Sequence, residues 1–259
     1  MTRLTRNKSS LINTHKTLNF VFDGKKYKGF EGDTLASALL ANDVKLIARS
    51  FKYHRPRGIV TSGSHEPNAL VEITRDNYNE PNSKATTVEL YEGLKAKSQN
   101  CWPSLKFDMM SINDKFSNFI GAGFYYKTFM WPSSFWEKIY EPLIRKAAGL
   151  GKLSRSQNSG NSEKGFLHCD LLIIGSGPSG LISAYIAGLA GIKVILIEED
   201  YIFGGSLNNE IFKISNMSAQ DWVQSILKEI RKLPNVRCIK NTSVTVSYTH
   251  LRAHETVDY

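Results

Sequence analysis

Residues 169–199, CDLLIIGSGPSGLISAYIAGLAGIKVILIEE, decide how this chain is read. Leu171 to Ile174 is a short continuous apolar run, the pattern of a strand covered on both faces. Gly175-Ser176-Gly177-Pro178-Ser179-Gly180 follows at once. In such a turn Gly175 permits the tight bend, Gly177 lets the backbone approach a pyrophosphate, and Gly180 lets helix and strand pack closely. The spacing predicts a helix from Pro178 to Leu189, ended by Gly191, with its free N–H groups and dipole turned towards an anion. Lys193 to Ile197 reads as a second strand, and Glu198 stands at its carboxyl end, where a carboxylate accepts from ribose hydroxyls. A lone GxGxxG is weak evidence. Strand, glycine turn, helix, strand and acid in this order make a βαβ dinucleotide cradle.

Downstream, Asp200 to Leu207 (DYIFGGSL) places paired glycines soon after the second strand. An ordinary tight loop is one reading. The other is a cofactor contact, since flavoproteins with two dinucleotide domains resemble this in following the acidic residue with a Gly-Gly turn. The candidate cofactor-binding residues are therefore Gly175, Gly177, Pro178, Ser179, Gly180, Glu198, Glu199, Gly205 and Ser206. A carboxylate at Glu198 repels a 2′-phosphate, so NAD or FAD is favoured over NADP. Ser218 or Asp221 opens a further helix stopped by Pro234, and Val236 to Ile239 reads as a third strand.

Upstream, residues 18–31 (LNFVFDGKKYKGFE) alternate apolar and polar residues about Asp23-Gly24, a strong hairpin signal. Asp33, as a candidate N-cap, opens a short helix with an apolar stripe of Leu35, Leu39 and Leu40. Val44 to Ile47, Ala69 to Ile73 and Thr87 to Tyr91 are candidate strands. The order strand, strand, helix, strand is that of a β-grasp fold, and FDGKKYKGFEGDTLASALLAND resembles the start of a ferredoxin-type β-grasp domain. Cluster-carrying relatives supply cysteines after the helix. This chain has none between Met1 and Asn100, and Ser62, Ser64 and His65 are no replacement for thiolates. A domain without an Fe-S cluster is expected.

Between these regions, Arg49, Lys52, His54, Arg55 and Arg57 make one loop basic. They are either a solvated turn or a binder of phosphates or of a partner subunit. His54 and His65 read as structural or exposed. Residues 102–142 are rich in irregularly spaced aromatics, which suits a wrap around the next domain or an interface with another subunit. Trp131 to Ala148 holds one candidate helix, started or interrupted by Pro142. Residues 149–165, GLGKLSRSQNSGNSEKG, read as an exposed connector. The domain plan is thus 1–100 β-grasp, 101–165 wrap and linker, and 166–245 the first part of a Rossmann-type FAD/NAD-binding domain. Residues 246–256, VSYTHLRAHET, resemble one reading frame of a sequencing-library adaptor, so 246–259 are expected to be an artefact. No metal role is assigned to His250 and His254, whose spacing lacks further ligands.

The 259 residues are 41% hydrophobic and 22% charged, which describes globular domains. No run approaches the about 20 apolar residues of a membrane span, and no apolar block marks a signal peptide. Cys101, Cys169 and Cys238 lie far apart, as reduced thiols of a cytoplasmic protein do. The net charge of +9 is spread along the chain; its dense stretch, Arg145 to Lys164, falls largely in the predicted connector. Nucleic-acid binding is not expected.

Across residues 3–245 the sequence resembles the N-terminal part of the alpha subunits of heterotetrameric sarcosine oxidases. The blocks that carry this are GDTLASALLAND, RSFKYHRPRGI, SHEPNALVEI, ATTVELYEGL, SQNCWPSLKFD, AGFYYKTFMWP, FWEKIYEPLIRKAAGLG and GSGPSG. The resemblance implies oxidative demethylation of sarcosine to glycine, with hydrogen peroxide formed and the one-carbon unit passed to tetrahydrofolate. It implies NAD in this dinucleotide domain (FAD being the alternative), FAD and FMN in the full complex, and beta, gamma and delta partner subunits. No residue here is expected to perform the substrate chemistry, so this part alone is expected to be inactive. The alternatives are a subunit of a related amine or opine dehydrogenase, and a non-catalytic nucleotide-binding assembly subunit.

Overall fold

The structure is a computed structural model that describes residues 3, 11–75, 78–118, 121, 123, 131–147, 151 and 165–245. The chain divides into two compact units, Met1–Lys164 and Gly165–Tyr259.

In the first unit, Asp23 and Gly24 both lie at positive φ (47° and 76°), the conformation that a two-residue hairpin loop demands. They turn β1 (Asn13–Phe22) into β2 (Lys25–Glu31), with Phe22 opposite Lys25. α1 (Leu35–Ala41) follows, then a small antiparallel ribbon of β3 (Ala48–Arg49) and β4 (Pro56–Arg57). β5 (Leu70–Arg75), β6 (Tyr78–Lys84) and β7 (Leu94–Ser98) complete a sheet of order β2-β1-β7-β5-β6. β1 and β7 run parallel and the other neighbours antiparallel. A parallel pairing of the first and last strands, with a helix across the sheet, is the β-grasp arrangement. Alternation along the strands buries Leu18, Phe20 and Phe22 with Val71, Ile73, Leu94 and Ala96 against Leu35, Ala38 and Leu39 of α1.

Three local expectations change. Thr34, not Asp33, caps α1: its hydroxyl accepts from Ser37 N (3.1 Å), and Ser37 Oγ accepts from Thr34 N (3.0 Å). The buried Asp33 carboxylate instead accepts from Phe30 N (2.8 Å), Ser37 Oγ (2.7 Å) and the guanidinium of Arg3 (3.0 and 2.5 Å). A buried carboxylate needs such partners more than a helix end needs a second cap. Residues 87–91 cross the start of α1 with a single bridge, Glu89 to Thr34, with Leu35 N donating to Val88 O and Leu90 N to Asp33 O; the strand lies later, at β7. Val44 to Ile47 is not a strand either, because Val44 N closes the end of α1 on Leu39 O.

Beyond the sheet lies α2 (Ile112–Lys115). The candidate helix of 131–148 is three pieces: a 3₁₀ turn at Ser133–Phe135, a π turn at Trp136–Tyr140 and α3 (Glu141–Ala147). Pro142 falls in the first turn of α3, where its missing N–H costs nothing. Trp102, Phe107, Phe116 and Trp131 of the aromatic stretch are exposed. Residues 119–120, 122 and 124–130 of that stretch, most of the connector, and the adaptor-like 246–259 lie outside the described residues.

In the second unit, β8 (Leu171–Ile174) leads into α4 (Pro178–Leu189) and β9 (Val194–Ile197). The small hairpin of β10 (Lys213–Ile214) and β11 (Met217–Ser218) precedes α5 (Ala219–Ile230) and β12 (Val236–Ile239). The sheet is parallel throughout, in the order β12-β9-β8. Two crossovers of one hand stepping the same way put both helices on one face. Leu181 and Ala184 of α4 share a core there with Val194, Leu196, Val223, Leu227 and Ile230. The expectation that β8 is covered on both faces is not met: Leu172 is 46% and Ile174 64% exposed. An apolar run specifies a strand but not its neighbours, and β8 is an outer strand among the described residues. No described helix is long and apolar enough to cross a membrane.

Candidate dinucleotide site

The site is built at the carboxyl ends of β8 and β9. Gly175 N donates to Ile197 O (2.8 Å), which ties the glycine turn to the end of β9. Gly177 caps α4, and Pro178 occupies the first helical turn, where its fixed φ suits the helix. A Cβ on Gly180 would stand 2.0 Å from Gly175 O, so α4 rests directly on the turn. A Cβ on Gly177 would meet nothing within 4 Å. Pro178 and Ser179 are exposed beside it. The first-turn N–H groups of α4, which no helix satisfies internally, therefore open onto a surface that a pyrophosphate can reach.

Glu198 is buried at the end of β9. Its Oε2 accepts from Ser176 N (2.8 Å) and Ser176 Oγ (2.5 Å), and its Oε1 from Asp200 N (3.1 Å). Gly204 N donates in turn to Ser176 Oγ (2.9 Å). Gly204 and Gly205 both take positive φ (123° and 52°), and a Cβ on Gly205 would lie 3.2 Å from Gly177 Cα. The Gly-Gly loop thus lies on the glycine turn. Gly175, Gly177, Gly180, Glu198 and Gly205 are brought together, while Glu199 and Ser206 are exposed. The sequence reading missed Ser176 and Gly204, which join the three loops. The available signal was a small hydroxyl residue between two turn glycines.

The basic loop of the first unit is engaged within that unit. The Arg49 guanidinium donates to the carbonyls of Leu105 (3.0 and 2.7 Å), Lys106 (3.2 Å) and His54 (3.0 Å). His54 is buried, with Nδ1 2.7 Å from Asp108 Oδ2. Arg55 pairs with Asp114 (2.7 Å), and Lys52 Nζ donates to Gly121 O (2.8 Å). At Arg49, Lys52, His54 and Arg55 the loop is thus tied to residues 105, 106, 108, 114 and 121 and is not simply solvated. Glu66 is a buried carboxylate that accepts from Val60 N (2.7 Å), Thr61 N (2.8 Å) and Asn68 N (2.8 Å). Burial pushes its pKa up, but these backbone donors, with Ala69 N, outweigh burial and hold it below the ordinary carboxylate value.

Sarcosine oxidase subunit alpha of Rhizobium meliloti (strain 1021) is 54% identical over 236 residues, covering 91% of this chain and 24% of that protein. The chain is homologous to the N-terminal part of sarcosine oxidase alpha subunits. The corresponding subunit of Corynebacterium sp. (strain U-96) is 28% identical over 241 residues, or 92% of this chain and 20% of that one. The chain thus spans about a quarter or less of the length of these curated relatives. Residues 15–101 match the family described as 2Fe-2S iron-sulfur cluster binding domain, and residues 170–256 match FAD dependent oxidoreductase. L-proline dehydrogenase from P. horikoshii shares the fold, with TM-score 0.51 and 19% identity over 88% of this chain and 34% of that one.

These matches correct the cofactor expectations. In the dinucleotide domain the match to FAD dependent oxidoreductase supports FAD, the alternative to NAD in the sequence reading. The cradle fits it: the Cβ-free approach at Gly177 and the acid at Glu198 are what an adenosine diphosphate moiety requires. The expectation of a first domain without an Fe-S cluster is overturned by its match to the cluster-binding family. Cys101, half-buried, is the cysteine inside the matched range. A two-iron cluster takes four Cys or His ligands. One thiol is not by itself such a ligand set, and no group of three or more His, Cys, Asp or Glu among the described residues is placed to hold a metal ion.

Proposed function

We propose that this chain is the FAD-cradling, partner-binding part of an amine-oxidising flavoenzyme whose reaction is the oxidative demethylation of sarcosine to glycine. The observation that carries the reading is the joined set of Gly175, Gly177, Gly180 and Glu198 in a chain 54% identical to a sarcosine oxidase alpha subunit. The chemistry that bound flavin supplies is two-electron oxidation of the amine, with oxygen reduced to hydrogen peroxide. The chain's own residues bind and orient. The start of α4 takes the pyrophosphate, with Pro178 and Ser179 at its exposed edge, and Glu198 accepts from the adenosine ribose. Gly205 and Ser206 line the second loop, and Glu199 adds negative charge at the same strand end.

The one-carbon unit released from the substrate passes to tetrahydrofolate elsewhere in the assembly, which comprises beta, gamma and delta subunits. No residue of this chain is assigned to substrate chemistry, so it is inactive by itself. Three free cysteines, Cys101, Cys169 and Cys238, suit the reducing cytoplasm. The domain plan proposed for this function is a β-grasp module to residue 100, the aromatic stretch and linker to 165, and the dinucleotide domain beyond.

The first test is direct. The purified chain is incubated with FAD and desalted, and the retained nucleotide is identified by absorbance and mass. Retention of FAD that is lost in Glu198→Ala supports the reading; no retention by the wild-type chain defeats it. The second test is peroxide formation from sarcosine by the assembly containing this chain. Activity on opines with none on sarcosine would reassign the substrate.

A further inference from the structure

We propose that Ser176 is a positioning residue for the nucleotide ribose: it fixes the Glu198 carboxylate so that one acceptor site, on Oε1, remains for one ribose hydroxyl. This rests on the dinucleotide reading of the cradle and goes beyond it. Ser176 lies between the turn glycines, fully buried, with its side chain turned inward.

A carboxylate has about four acceptor sites, two on each oxygen. Both Ser176 donors, N (2.8 Å) and Oγ (2.5 Å), fall on Oε2 of Glu198 and fill it. Asp200 N (3.1 Å) takes one site of Oε1. One site is left. The single Ser176 hydroxyl proton is committed to Glu198, so Ser176 Oγ is free to accept from Gly204 N, as it does at 2.9 Å. Gly204 N–H, Ser176 O–H and the Glu198 carboxylate form one directed chain, in which each bond polarises the next. The glycine turn, the end of β9 and the Gly204-Gly205 loop are locked in one arrangement before nucleotide arrives. Alanine at 176 keeps the N–H contact and removes both hydroxyl bonds. The carboxylate then keeps only two backbone anchors and loses its strongest one, and the buried Gly204 N–H loses its acceptor.

The test uses the full chain, calorimetry and four probes: ADP, 2′-deoxy-ADP, 3′-deoxy-ADP and 2′,3′-dideoxy-ADP. For the wild-type chain, ADP is expected to bind about tenfold more tightly than the dideoxy form, the worth of one hydrogen bond to a charged acceptor. One of the two monodeoxy forms should behave like ADP and the other like the dideoxy form. Ser176→Ala should bind dideoxy-ADP as the wild type does, which also shows that it is folded, while losing most of the preference for ADP. Adding Glu198→Gln to that variant should cost little more. The proposal is overturned if Ser176→Ala keeps the wild-type preference, if it weakens all four ligands equally, or if both hydroxyls matter equally in the wild type. A wild-type chain that binds none of the four, nor FAD, defeats the dinucleotide reading itself, and this inference with it.

Discussion

Gly180 and Gly175 touch across the turn: a Cβ on Gly180 would lie 2.0 Å from the Gly175 carbonyl oxygen, against which α4 is seated. Gly180→Ala must therefore push helix from strand. A loss of about 1–3 kcal/mol is expected, as for overpacking of a tight core. Urea unfolding of the second unit reads it, and an unchanged midpoint would contradict the geometry.

Gly177 makes the opposite case. Its φ of −62° is open to any residue, and a Cβ there meets nothing in the protein. Gly177→Ala should melt like the wild type and yet bind FAD or ADP at least about tenfold more weakly, because the methyl occupies the approach of the pyrophosphate. Equal binding by the two proteins would place the phosphates elsewhere.

Arg49 holds the 105–106 backbone with a fork that lysine cannot reproduce. Arg49→Lys should cost about 1–3 kcal/mol, the range for hydrogen bonds to a charged group. It should also raise proteolytic cleavage between Trp102 and Ser117. Wild-type cleavage rates there would show that the segment is held by other contacts.

Glu66 gives a pH signature. Its folded pKa lies below the ordinary value, so its contribution to stability is fully present above the unfolded pKa of about 4.3 and fades as pH falls through the folded value. The stability gap between wild type and Glu66→Gln should thus be widest near neutrality and close on acidification. A gap that widens in acid would reverse the sign of this account.

Burial raises the thiol pKa of both Cys101 and Cys238. Because the thiolate is the reacting form, iodoacetamide at neutral pH should label both far more slowly in the native chain than in urea. Mass spectrometry of the labelled peptides checks this. Equal rates in the two conditions would mean that neither thiol is shielded.

Much of this was legible from local pattern. Asp23-Gly24 specified a hairpin because few other pairs accept two positive φ values. The GSGPSG turn specified strand, bend and helix, because its glycines answer to contacts within a few residues. Legibility failed where a residue's partner is distant in sequence. Asp33 reads as a cap until Arg3 and Phe30 arrive to claim its carboxylate. The 49–57 loop reads equally as a solvated turn or as a binder of phosphates or a partner until Arg49 meets the Leu105 carbonyl and Arg55 meets Asp114. Ser176 looks like filler until Glu198, 22 residues on, and Gly204, 28 on, close around its hydroxyl.

The two fold types, the glycine turn and the acid at the end of β9 were readable in the sequence, since each depends on steric rules acting over a turn or a strand. Tertiary structure alone decided which strand of the second unit stands at the edge and which cations are already spoken for. It also decided which protein donors, Ser176 and Asp200, meet the Glu198 carboxylate. Those outcomes depend on hydrogen bonds between groups that only folding brings within 3 Å, and no local pattern encodes such a meeting.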